Sequence, residues 1–109
     1  MIKMMVFKTE EEVDNYFKEL GAYPYINHNI DNGEAISEMW DLYNLIDDKS
    51  DVEDIESYDA MLIYKGCNIR FMNNHSYTIN IGAIEDMMPP YIIYYIEGYE
   101  ELKTAFLKL

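Results

Sequence analysis

The sequence predicts an α+β fold in which a small antiparallel sheet packs against about three helices. The sheet is a three-stranded meander joined by strands from the N-terminal and C-terminal regions. Three observations carry this expectation. Apolar residues recur at helical spacing in three segments, residues 59–82 alternate with the period of two that strands require, and turn residues divide the alternating runs at hairpin spacing.

The first element, "IKMMVF" at 2–7, is a short strand. "TEEEVDNYFKELG" follows with a capping box, Thr9 with Glu12 three positions on, and then Val13, Phe17 and Leu20 at helical spacing before Gly21 stops the helix. Residues 22–32 lack a period, contain proline and are expected to be loop. A second helix is expected from about Glu34 to Asp48. Ile36, Met39, Trp40, Tyr43 and Ile46 would form its buried stripe, with Glu34, Glu38, Asp41 and Asp48 on the opposite, exposed side. The run 49–58 is expected to be a loop that continues this acidic face.

The register of the meander, roughly 59–64, 67–72 and 76–82, follows from turn length. A two-residue turn at Lys65-Gly66 sets Leu62 opposite Ile69 and Tyr64 opposite Cys67. A three-residue turn at 73–75 sets Phe71 opposite Tyr77 and Ile69 opposite Ile79, whereas a two-residue turn at Asn73-Asn74 would put Thr78 against Ile69. The longer turn keeps apolar groups on one face, so it is the one expected. "GAIEDMMPPY" is expected to be a loop, "YIIYYI" at 91–96 a buried strand, and "GYEELKTAFLKL" a final helix with Tyr99, Leu102, Phe106 and Leu109 on one side.

With 109 residues, half of them apolar, the chain is expected to form one domain, 1–109, around one core. No uncharged apolar run approaches the roughly 20 residues a membrane span needs. The opening "MIKMMVFKTEEE" is too quickly acidic for a signal peptide, and a single cysteine excludes an intramolecular disulfide. A cytoplasmic setting with no membrane partner is therefore expected. Isoleucine, asparagine, tyrosine and lysine outnumber alanine, glycine, proline and arginine almost threefold, a bias expected of an AT-rich bacterial or phage genome.

Catalytic chemistry finds no constellation, so the chain is not expected to be an enzyme and no cofactor is expected. Clustered acids could make a calcium loop, but the acidic run lacks the required glycine and terminal glutamate. The nearest approach, "NHNIDNGEAISE" at 27–38, has Gly33 one position late. Cys67 faces the core in the expected register, distant from His75, and one cysteine with two histidines supplies no zinc spacing. No glycine-rich loop leads from a strand into a helix to cradle phosphate. Direct nucleic-acid binding is disfavoured because only eight lysines and arginines are present.

What ranks the remaining functions is charge. The net charge is −13, and residues 31–59 hold eleven acids against Lys49 alone. A concentrated field of one sign costs self-repulsion in the folded state. The expected partner-binding residues are Glu34, Glu38, Asp41, Asp47, Asp48, Asp51, Glu53, Asp54, Glu56 and Asp59. Carboxylates at helical offsets of three and four rise roughly 4.5 to 6 Å per step, and duplex DNA shows a phosphate per strand about every 3.4 Å.

The leading expectation is an acidic inhibitor that docks a basic, nucleic-acid-binding protein by imitating nucleic acid. In general composition the chain resembles small acidic phage proteins that block restriction, repair or CRISPR nucleases and act in the host cytosol. The competing expectations are an immunity or antitoxin-like protein covering a toxin active site, and a small ligand-binding domain.

Overall fold

The computed structural model describes residues 1–82 and 88–109. The elements are β1 (Ile2–Phe7), α1 (Glu10–Leu20), α2 (Gly33–Asn44), a single 3-10 turn (Lys49–Asp51), β2 (Val52–Glu56), β3 (Met61–Tyr64), β4 (Cys67–Met72), β5 (Ser76–Ile81), β6 (Tyr91–Glu97) and α3 (Tyr99–Phe106). The six strands form one antiparallel sheet in the order β1-β6-β5-β4-β3-β2. Its class is the expected α+β, with a larger sheet. The segment expected to bridge β5 and β6 as a loop lies partly outside the described residues, at 83–87.

The meander has the expected register. Leu62 pairs with Ile69 and Tyr64 with Cys67 across a Lys65-Gly66 turn, in which both residues have positive φ (50° and 74°). That geometry matches the twist of the flanking strands, and glycine adopts it without a Cβ penalty. Ile69 pairs with Ile79 and Phe71 with Tyr77 across Asn73, Asn74 and His75.

Two cores lie on the two faces of the sheet. On one face α2 and α3 cover Leu62, Cys67, Ile69, Phe71, Tyr77, Ile79 and Ile96. On the other, Val13 and Phe17 of α1 pack with Met72, Tyr91 and Ile93. Helix α1 begins as its sequence implies: Thr9 Oγ1 accepts from the Glu12 amide at 3.2 Å, and Gly21 closes the helix in the left-handed conformation. The α1 face also buries polar groups at its centre, Asn68, Arg70, Thr78 and Asn80. Arg70 donates to Asn80 Oδ1 and to the Tyr23 carbonyl (3.0 Å), and its guanidinium lies 4.2 Å from the Phe17 ring centre. Among the described residues no helix is long and apolar enough to cross a membrane.

Three expectations for residues 33–58 need correction. Helix α2 ends at Asn44, not Asp48, and Lys49 satisfies its last turn by donating from Nζ to the carbonyls of Tyr43 (2.9 Å) and Ile46 (2.5 Å). Its buried stripe is Ala35, Glu38, Met39 and Leu42, continued by Ile46 beyond the helix, so the helix is rotated by about one residue, near 100°. Trp40 is consequently 38% exposed, and Glu38 is only 8% exposed. Finally, residues 49–56, expected as part of a 49–58 loop, are not loop, and only Ser57 and Tyr58 of that run lie in a turn. The 3-10 turn leads into β2, the outermost strand, which carries a bulge between Val52 and Asp54.

Candidate partner-binding surface

Seven of the ten candidate acids lie along the β2 edge, and three lie on α2. Asp47 is exposed at the approach to the 3-10 turn. Asp48 caps that turn, its Oδ1 accepting from the Ser50 amide (3.0 Å) and hydroxyl (2.6 Å), and these bonds hold its carboxyl below the ordinary range. Asp51 is half-buried, and its carbonyl accepts from the Lys65 amide at 3.1 Å. Glu53 occupies the bulge and returns Oε1 to the Gly66 amide at 2.6 Å, bracing the β3–β4 turn.

Asp54 and Glu56 stand two apart, on one side of the strand. The neighbouring Asp54 carboxyl, first as a hydrogen-bonding group and then through its charge, raises the Glu56 pKa. Asp59, in the turn after β2, lies 3.3 Å from His28 Nε2, and the His28 ring stacks on Tyr58 at 4.5 Å. Among the described residues no lysine or arginine forms an ion pair with Asp47, Asp48, Asp51, Glu53, Asp54 or Glu56.

The α2 acids belong to a different place. Asp41 is exposed, and its charge is felt by Tyr99 of α3. Glu34 and Glu38, one helical turn apart, meet the β4–β5 turn. His75 Nδ1 lies 3.3 Å from Glu34 Oε1 and 2.9 Å from Glu38 Oε2. The Tyr77 hydroxyl donates to the same Glu38 Oε2 at 2.7 Å. Burial, followed by the Glu38 bond, pushes the Tyr77 hydroxyl far above its ordinary pKa. His75 is raised chiefly by its hydrogen bond to Glu38, then by the charges of Glu38 and Glu34. Glu38 Oε1 is buried and has no hydrogen-bond partner among the described residues.

Strand β5, which carries Tyr77, is three strands away from β2, about 14 Å at ordinary strand spacing. The ten acids therefore form two groups, the β2 edge and the α2–β5 junction, and Glu38 is turned inward within the second. His75 and Tyr77 were not among the sequence candidates. Only the need of a core-facing tyrosine hydroxyl for a partner hinted at the connection.

A cleft of about 580 Å³ lies on the α1 side, lined by Glu10, Glu11, Asp14, Tyr23, Asn68 and Arg70 among others. Comparison of the chain with protein-family models, curated proteins and solved structures finds no match.

Proposed function

We propose that this protein is an acidic, cytoplasmic docking inhibitor that binds a basic surface of a nucleic-acid-handling protein through the Asp47–Asp59 edge. The supporting observation is the uncompensated charge of that edge. Six acids from Asp47 to Glu56 have no lysine or arginine ion-pair partner among the described residues, and they sit on the terminal strand of the sheet. Acids on an edge strand also deter unwanted strand pairing. Two or three charges would suffice for that, whereas this segment carries six, and the Asp54 carboxyl stands near enough to Glu56 to raise its pKa. A partner rich in lysine and arginine relieves the repulsion on binding. Residues two apart on a strand rise about 6.6 Å, near two phosphate steps along one DNA strand. A nuclease of restriction or CRISPR type, met by a phage-encoded protein, has the matching surface.

The test is affinity capture from a bacterial lysate, followed by binding measurements on the captured partner. The neutralised variant should carry Asp47→Asn, Asp51→Asn, Asp54→Asn and Glu56→Gln. It leaves Asp48 and Glu53, which hold backbone amides, in place. Wild-type association is expected to weaken steeply with salt, to compete with duplex DNA, and to be largely lost in the folded, neutralised variant. Salt-independent binding, or undiminished affinity in the variant, sinks the reading. The α1-side cleft favours the alternative of a small ligand-binding domain, because its buried Asn68 and Arg70 are polar groups converging in a concave site.

A further inference from the structure

We infer that Glu34, Glu38 and His75 form a binding site for a divalent transition cation, with zinc the ion whose ligand preferences fit. Three observations meet at this place. One ligand atom from each residue lies within 4.8 Å of the others. The His75 Nδ1 distances, 3.3 Å to Glu34 and 2.9 Å to Glu38, are close to the roughly 3.3 Å that separates ligand atoms arranged tetrahedrally about zinc at 2.0–2.1 Å. Little movement of the backbone is needed to seat the ion.

The second observation concerns burial, not the distances between the ligand atoms. Glu38 is 8% exposed, and its Oε1 is buried without a hydrogen-bond partner among the described residues. An orphaned carboxylate oxygen inside a protein is costly. The same carboxyl group touches His75 through Oε2, so a cation chelated by both of its oxygens supplies the missing partner. The third observation is support from behind. The Tyr77 hydroxyl donates to Glu38 Oε2, fixing the carboxylate as outer-shell partners fix metal ligands elsewhere.

Chemistry selects the class of ion. One imidazole nitrogen with two carboxylates suits zinc and its transition-metal neighbours better than magnesium or calcium, which take oxygen ligands throughout. Glu34 and His75 are 48% and 61% exposed at their side chains, so solvent reaches the site and water completes the coordination. The ion replaces a proton on His75, and it joins the first two turns of α2 to the β4–β5 turn, 37 residues beyond Glu38 in the chain. It also relieves the repulsion between Glu34 and Glu38, like charges four apart on a helix.

The experiment is calorimetric titration of the chelator-treated protein with zinc chloride, beside thermal melts and the visible spectrum of the cobalt-substituted protein. Glu34→Gln and His75→Asn are the informative variants, since both side chains are exposed and asparagine tolerates the positive φ (55°) of His75. Wild type is expected to bind one ion per chain with a rise in melting temperature, and each variant to bind it roughly tenfold or more weakly. A double Asp54→Asn, Glu56→Gln variant should bind as wild type. No zinc binding overturns the proposal. So do many weak sites unchanged by His75→Asn, or a loss that follows Asp54 and Glu56, because the ion then belongs to the diffuse acidic edge.

Discussion

The Tyr77 hydroxyl and Glu38 Oε2 lie 2.7 Å apart, joining strand β5 to helix α2 by a hydrogen bond inside the core. The bond lets a carboxylate occupy the buried stripe of an amphipathic helix. Removing the donor alone should expose its worth. Tyr77→Phe keeps the ring and its edge-on contact with Phe71 at 5.7 Å. It is expected to lower unfolding free energy in urea by about 1–3 kcal/mol, the cost of a buried acceptor losing a partner. An unchanged midpoint would mean that Glu38 is held by His75 alone.

The His75 pair should make stability depend on pH. Its folded pKa is raised above the ordinary 6.5, first by the Glu38 hydrogen bond and then by the charges of Glu38 and Glu34. A raised folded pKa stabilises fully below the unfolded pKa, and that stability is lost as pH rises through the folded value. In metal-free buffer, the difference in melting temperature between wild type and His75→Asn is therefore expected to be larger at pH 6 than at pH 8. A difference that grows with pH would reverse the sign and sink the ion pair.

Cys67 is 5% exposed on the α2–α3 face, and burial raises its thiol pKa. The thiolate is the reactive form, so a disulfide reagent at neutral pH should label it slowly in the native protein and rapidly in denaturant. Fast native labelling would show that the end of β4 opens readily.

Trp40 and Leu42 should respond oppositely to truncation despite lying two residues apart. Leu42 is fully buried, and Leu42→Ala is expected to cost about 2–5 kcal/mol. Trp40 is 38% exposed and rests edge-on against Tyr43 at 5.4 Å, so Trp40→Ala is expected to cost about 1 kcal/mol and leave the fold intact. Denaturant melts of the two variants check the phase of the helix directly. An equal cost at both positions would contradict it.

The meander was legible in the sequence because two constraints agreed. Turn length and the period of two both set Leu62 against Ile69 and Ile69 against Ile79. Strand β2 was not legible because its bulge breaks that period. Val52 and Ile55 both pack on the α2 side although they are three residues apart, since Glu53 is the extra residue. For α2, apolar residues occupy more than half a turn, so Ile36, Trp40 and Tyr43 compete with Ala35, Met39 and Leu42 for the inner face. The deciding residue, Glu38, points inward because Tyr77 and His75 receive it. Those partners stand 37 and 39 residues away, beyond the reach of any local pattern.

The strand order also sets a timetable for synthesis. Strands β2 to β5 pair with their sequence neighbours, so each hairpin can close soon after it leaves the ribosome. Strand β1 is made first, yet its sheet partner is β6, with Ile2 opposite Ile96 and Phe7 opposite Tyr91. Until β6 emerges, the apolar side chains of Ile2, Met4 and Val6 wait on an unpaired segment. Strand β1 thus waits longest without a mate, and because Ile2, Met4 and Val6 stay more than half exposed even after pairing, keeping this strand from other chains is a task for chaperones during translation.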